Sequence, residues 1–111
     1  MIEIEGLVHH YDAQGTSAPA LRGVDMHIPA QKVVALVGRS GSGKSTLLNL
    51  IGGLDTPSSG RIRVCGSDLT GLTSTQLDRF RATHIGFIFQ DFGLIPDMTV
   101  QENVAFPLAV L

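Results

Sequence analysis

The sequence predicts an α/β fold: a parallel sheet with flanking helices, preceded by an antiparallel β portion. Three observations predict it. Two alternating apolar runs open the chain, in "IEIEGLV" (residues 2–8) and "ALRGVDMHIP" (residues 20–29). A continuous β-branched run, "KVVALVG" (residues 32–38), then leads through a glycine-rich loop into an amphipathic segment. Short strand-like and helix-like stretches alternate from there to the C-terminus.

Residues 2–8 alternate as a strand, and "HHYDAQGTSAP" (residues 9–19) follows as a turn-rich loop. Leu21, Val24, Met26 and Ile28 come in near alternation and predict a second strand of the same kind. The uninterrupted run of residues 32–37 is the pattern of a strand buried on both faces. In "KSTLLNLIGGL" (residues 44–54), Leu47, Leu50, Ile51 and Leu54 recur at helical spacing, with Gly52 and Gly53 near the end. "GRIRVCG" (residues 60–66) is a short strand between glycines, in which Cys65 reads as a small core or sheet residue rather than a catalytic thiol. "STQLDRFRATH" (residues 74–84) reads as a charged, exposed helix with Ser74 as N-cap. "IGFIFQ" (residues 85–90) is strand again, and "TVQENVAFPLAV" (residues 99–110) opens with Thr99 and Glu102 in capping-box register.

Composition narrows the function classes. In 111 residues there is room for one small domain or a piece of a larger one, and 43% apolar residues suffice for a core. The formal net charge of -2 gives no general attraction to nucleic acid or anionic lipid. The single cysteine cannot form an internal disulfide, which fits a reducing compartment. "MIEIEGL" lacks the basic start of a signal peptide, and the longest apolar stretch, "VAFPLAVL", is far below the ~20 residues of a membrane-spanning helix. A soluble chain is expected. Its last residues fall inside that apolar stretch, which suggests part of a larger domain. The four histidines, His9, His10, His27 and His84, have no partners at metal-ligand spacing, so solvated or hydrogen-bonded side chains are expected.

The strongest chemical signal is "GRSGSGKST" (residues 38–46), which fits G-x-x-x-x-G-K-[ST] through Gly38, Gly43, Lys44 and Ser45. A buried strand before it and an amphipathic helix after it supply the required context. Gly38, Gly41 and Gly43 let the backbone approach a ligand closely, so that the N–H groups of the loop, with Arg39, Ser40, Ser42 and Thr46, form an anion nest. The helix starting near Lys44 adds unpaired donors and the positive end of its dipole. Lys44 supplies a point charge for the terminal phosphates, and the Ser45 hydroxyl suits Mg²⁺. This is the loop of a P-loop NTPase core, and nucleoside triphosphate binding is the reading it carries.

Other phosphate-binding classes fit less well. No N-K-x-D run is present to read guanine, and "DLTG" (residues 68–71) reads as a turn. Asp91-Phe92-Gly93 spells the metal-binding triplet of protein kinases, but the H-R-D segment is missing and kinases use a different glycine loop. The triplet is therefore a coincidence.

From Tyr11 onward, the chain resembles the first half of the ATPase subunit of ATP-binding-cassette (ABC) transporters. Tyr11, in "LVHHYDAQG", matches the aromatic that stacks on adenine in that family; the alternative is an ordinary half-buried tyrosine at a strand end. "GRSGSGKST" matches the phosphate loop, with Arg39 where proline is more usual, and "GGLDTPSSGRIRVCG" resembles the segment joining the loop helix to the next strand. Gln90 matches the glutamine that reaches Mg²⁺ and the attacking water; the alternative is a solvated strand end. "GLIPDMTVQENVAFPL" is most similar to the lipoprotein-release and macrolide-export branch. The resemblance implies ATP and Mg²⁺ as cofactors, with Lys44 and Gln90 in catalysis and Ser45 and Gln90 at the metal. It also implies a membrane-spanning partner, a second cassette in a head-to-tail pair and a peripheral position at the cytoplasmic face of the membrane. Phe92, Leu94 and Ile95 would face the membrane subunit.

The same resemblance divides the chain into an antiparallel β portion with the adenine-contacting loop (residues 1–31), a core from the phosphate loop through the glutamine (residues 32–95), and the start of a helical subdomain (residues 96–111). Neither an apolar strand ending in paired acids nor "LSGGQ" occurs here, so a truncated cassette is expected, one that binds ATP weakly without turning it over. A soluble, non-transport cassette protein and a non-hydrolysing remnant stand as alternatives, and the transported substrate is not legible.

Overall fold

The computed structural model describes residues 1–12 and 14–109; Ala13 of the N-terminal loop, and Val110 and Leu111 of the expected C-terminal helix, lie outside them. In chain order the elements are β1 (Ile2–His9), β2 (Leu21–Ile28), α1 (Lys44–Ile51), β3 (Ser59–Val64), β4 (Ser67–Asp68), a single 3-10 turn (Leu69–Gly71), α2 (Ser74–His84) and α3 (Val100–Ala109). The strands form one sheet in the order β2-β1-β3-β4, antiparallel at every step. Central β1 pairs Ile4 with Met26 on one side and Ile62 on the other.

An irregularity in β1 decides what this sheet buries. Ile4 faces the core, and strict alternation would next bring Gly6 and Val8 to that side. The register against both neighbours slips between Ile4 and Val8 instead, so Leu7 and His9 are the buried residues. Gly6 sits at the slip with φ 55, its N–H donating to the Asp25 carboxylate at 2.7 Å. Gly60 of β3 lies so close beneath it that a Cβ there would stand 2.5 Å from the Gly6 carbonyl oxygen.

Leu47 and Leu50 of α1, just under one turn apart on one face, join Ile4, Leu7, Leu21, Ile62, Val64 and Leu69 in the core. Leu77 and Phe80 of α2 complete it, and Arg81 ties α2 to the end of α1 by donating to the Gly53 carbonyl. The α2 cap falls one residue before the expected Ser74. Thr73 accepts from the Gln76 N–H at 3.3 Å while the Gln76 side chain accepts from the Thr73 N–H at 2.8 Å, a reciprocal pair that Ser74, with Leu77 three residues on, cannot make. Thr99 and Glu102 form the expected box at the head of α3. Cys65 is neither core nor sheet: with Gly66 it forms the two-residue turn between β3 and β4, at φ 50 and φ 83, and it is exposed.

Two runs expected to be strands, residues 32–37 buried on both faces and residues 85–90, behave differently from their pattern. Among the described residues, neither residues 32–37 nor residues 85–89 are hydrogen-bonded into a sheet. Leu36 and Ile85 pack against the core, while Val33, Val37 and Ile88 are exposed. A strand needs a hydrogen-bonded neighbour about 4.8 Å away, and burial of both its faces needs layers packed above and below it. Among the described residues these two runs have no strand neighbour, and the exposed side chains have no covering layer.

Candidate functional site

The glycine-rich loop wraps the N-terminus of α1, and sterics fix how. Gly43 caps the helix in the left-handed region at φ 88, where a Cβ would meet the Ala20 carbonyl oxygen and Leu21 Cδ2 at 2.8 Å each. Only glycine lets the start of β2 pass this close under the loop. No side chain caps α1, and the N–H groups of Lys44, Ser45 and Thr46 have no protein partner among the described residues.

Lys44 folds back across the loop. Its Nζ donates to the Gly38 carbonyl at 2.8 Å, the Arg39 carbonyl at 2.6 Å and Ser42 Oγ at 3.3 Å. The ammonium thus sits on the concave side of the loop, held by carbonyls that an anion would compete with. In front of it lies a cavity of about 600 Å³ lined by Tyr11, Ala20, Ser40, Gly41 and residues 43–46. Free amides, an ammonium and the hydroxyls of Tyr11, Ser40, Ser45 and Thr46, with no carboxylate among the described lining residues, form a donor set that fits a polyphosphate.

Tyr11 stands at the edge of this cavity, 69% exposed, with its hydroxyl 2.6 Å from the buried Thr46 hydroxyl. Asp12 anchors the loop that carries it. Its carboxylate accepts from the Thr16 and Ser17 hydroxyls at 2.6 and 2.5 Å and from both their N–H groups at 2.6 and 3.0 Å. The Ser17 hydroxyl first, then the Thr16 hydroxyl and the two amides, hold the Asp12 carboxyl well below the ordinary carboxylate range. A depressed folded-state value stabilises the loop above the unfolded value and is lost only as pH falls through the folded one. Amide exchange at Thr16 and Ser17, corrected for intrinsic rates, should therefore stay equally slow from pH 7 to about pH 5. It should become fast at both pH values in Asp12→Ala; protection that fades between those pH values in the unaltered chain would contradict this origin.

The expected site residues are not all brought together. Tyr11, Ser40, Gly41, Gly43, Lys44, Ser45 and Thr46 line the cavity, whereas Gly38, Arg39 and Ser42 do not, and Gln90 lies in an exposed turn away from its lining. Its segment is placed by Phe87, whose ring packs where a side chain on Gly52 would be, at the end of α1. Asp91, Phe92 and Gly93 continue the turn beyond Gln90, as expected of a loop.

Three other residues escape a reading of the sequence. His9 is buried beside Tyr11 with neither ring nitrogen hydrogen-bonded among the described residues, where a solvated or hydrogen-bonded histidine was expected; the signal was Gly6, since a glycine inside a strand pattern marks a slip in register. The Asp12 anchor was signalled by hydroxyl residues four and five positions on. Asn103 of α3 accepts from the Ile95 N–H and donates to the Ile95, Met98 and Thr99 carbonyls, a role that no local pattern announces.

Comparison with known proteins agrees with this geometry. Residues 21–109 match the family model described as ABC transporter. The lipoprotein-releasing system ATP-binding protein LolD of Anaeromyxobacter dehalogenans is 47% identical over 107 residues, covering 96% of this chain and 45% of the relative. The macrolide export ATP-binding/permease protein MacB of Rhodopirellula baltica is 45% identical over 107 residues, covering 96% of this chain and 16% of the relative. The ABC transporter ATP-binding protein YtrE of Bacillus subtilis is 43% identical over 114 residues, covering 99% of this chain and 49% of the relative. The chain thus spans about half the length of the ATP-binding relatives it matches. Among solved structures, the ATP-binding cassette MJ0796, a dimer in a post-hydrolysis state bound to ADP and Pi, superposes with a TM-score of 0.91 at 38% identity, covering 98% of this chain and 47% of that one. The backbone therefore follows the course of a cassette, the fold class the sequence predicted, and the kinship with the lipoprotein-release and macrolide-export branch holds. The chain belongs to the ABC transporter family, and what it carries is sequence of the ATP-binding domain.

Proposed function

We propose that this chain is the nucleotide-contacting part of an ABC transporter ATPase that couples ATP binding and hydrolysis to export across a membrane. The observation that carries the reading is the unpartnered amides of Lys44, Ser45 and Thr46, grouped with the Lys44 ammonium around a cavity of about 600 Å³. The amides of the loop and helix terminus would cradle the phosphates, and Lys44 would exchange its carbonyl partners for phosphate oxygens. The Ser45 hydroxyl is suited to hold Mg²⁺, which when bound neutralises phosphate charge. Tyr11 offers an exposed ring to the base. In this reading Gln90 orients the attacking water once its turn closes toward the cavity, since its amide can donate and accept without taking a proton.

The same proposal keeps residues 1–31 as the base-contacting β portion, residues 32–95 as the nucleotide core and residues 96–111 as the opening of a helical part. A second cavity, of about 470 Å³ and lined by Phe92, Leu94, Ile95, Val100 and Val104 among others, supports a docking role for the loop beyond Gln90 toward a membrane-spanning partner at the cytoplasmic face. No helix among the described residues is long and apolar enough to cross a membrane. The cassette dimers among the solved neighbours support a head-to-tail pair.

Because no carboxylate lines the first cavity, the reading assigns these residues binding and positioning, and leaves polarisation of water to a carboxylate supplied from elsewhere. Titration of the chain with Mg²⁺ and labelled ATP should give saturable binding without release of phosphate. Steady phosphate release that Lys44→Ala abolishes would show that the chain hydrolyses ATP unaided, and absence of saturable binding would remove the reading itself.

A further inference from the structure

The slip in β1 places His9 on the buried side of the sheet, with only 5% of its side chain exposed. Neither ring nitrogen has a hydrogen-bond partner among the described residues. Nε2 does lie 3.3 Å from Asp55 Oδ2, without the alignment of a hydrogen bond. An imidazole with two unsatisfied nitrogens is a costly way to fill a core position that leucine or phenylalanine would fill better. Its other neighbour shows what the ring does: His9 and Tyr11 meet edge to face, with centroids 5.0 Å apart and planes at 87°.

The peptide unit that joins His9 to His10, between the two rings in the chain, is fixed through both its carbonyl and its N–H. The His9 carbonyl accepts from the Ala20 N–H at 2.8 Å, and the His10 N–H donates to Ser58 Oγ at 3.0 Å. The Tyr11 ring is thus held at one end by the Thr46 hydroxyl and along its side by His9. Asp55, in the segment that leaves α1, faces the other side of His9.

We propose that His9, oriented by Asp55, is a positioning residue for the Tyr11 ring, and that the part of nucleotide affinity owed to the base depends on it. The inference rests on the nucleotide reading above and deepens it: His9 serves the base and not the phosphates.

Two ligands separate these contributions. MgATP carries a base and magnesium tripolyphosphate does not. His9→Leu keeps an apolar side chain in place but removes the ring; it should weaken MgATP about two- to tenfold, the worth of an aromatic pair. The same variant should leave tripolyphosphate affinity within about twofold, and His9→Phe, which restores a ring edge, should return MgATP affinity to within about twofold. Equal loss for both ligands, or none for either, overturns the inference, as does failure of His9→Phe to recover. Lys44→Ala is the control for the underlying reading: it should weaken both ligands, and if it weakens neither, the nucleotide site is wrong and the His9 role falls with it.

Should His9→Leu fail to fold, Asp55→Ala probes the same arrangement from a more exposed position. Tyr11 is the single tyrosine and there is no tryptophan, so intrinsic emission reports its ring alone. The variant should change that emission and weaken MgATP relative to tripolyphosphate. An unchanged emission together with an unchanged affinity ratio overturns the proposal.

Discussion

Lys44→Ala should weaken binding of MgATP by roughly ten- to a hundredfold, the worth of hydrogen bonds from a charged donor. In the ligand-free arrangement the ammonium spends its three protons on Gly38, Arg39 and Ser42, all within its own loop. Removing it costs the free protein these contacts and costs the complex a charge-assisted pair with phosphate, which is the stronger of the two. The balance falls on the complex, so affinity drops more than stability. Calorimetric titration with a slowly hydrolysed analogue measures the first and urea unfolding the second. Unchanged affinity would mean that the ammonium never leaves its carbonyls, and the cavity would lose its claim to polyphosphate. Magnesium tripolyphosphate should lose affinity by a similar factor, because the lysine contributes nothing to a base.

Gly43→Ala should be the most damaging change to the loop itself, lowering stability by about 2–4 kcal/mol and nucleotide affinity with it. Two effects add. An L-residue at φ 88 carries the left-handed penalty of about 1–2 kcal/mol, and the new methyl would stand 2.8 Å from both the Ala20 carbonyl oxygen and Leu21 Cδ2. Gly41→Ala isolates the first effect, since Gly41 is left-handed at φ 76 but has nothing within 4 Å of where a Cβ would be. Urea midpoints of the two variants, compared at matched slopes, should therefore differ, with Gly43→Ala lower. Equal midpoints would show that β2 yields to the methyl and does not brace the loop.

Much of the site was legible before any coordinates, because it rests on local rules. Gly43 and Lys44 announce a loop at a helix start, Leu47 and Leu50 announce the buried face of α1, and Thr99 with Glu102 announces where α3 begins. Each signal lies within a few residues of what it determines. The α2 cap shows how fine the rule is: three hydroxyl residues stand in a row, and the one with a glutamine three positions on takes the role.

What was illegible depends on the far side of a contact. Val33 and Val37 belong to a run with the composition of a doubly buried strand and Ile88 to a further strand-like run, but burial is a property of neighbours, and among the described residues nothing covers these three side chains. His9 was read with the other histidines as solvated or hydrogen-bonded, because its burial depends on a register slip near Gly6 that only the pairing of β1 with its neighbours reveals. Gln90 has the right sequence surroundings and still lies outside the cavity, since its place is set by Phe87 against Gly52 and not by its own strand.

The antiparallel sheet has a consequence for biosynthesis. All of its ladders close within residues 2–68, and none of them waits for residues 85–89. A chain leaving the ribosome can therefore knit this sheet, and seat the phosphate-loop helix against it, before the glutamine turn has been made. During that interval the valines of residues 33–37 are an adhesive strip on an otherwise finished unit. Chaperone capture of nascent chains should accordingly centre there, and polar substitutions at Val33 or Val37 would loosen the chaperone's hold without disturbing the sheet.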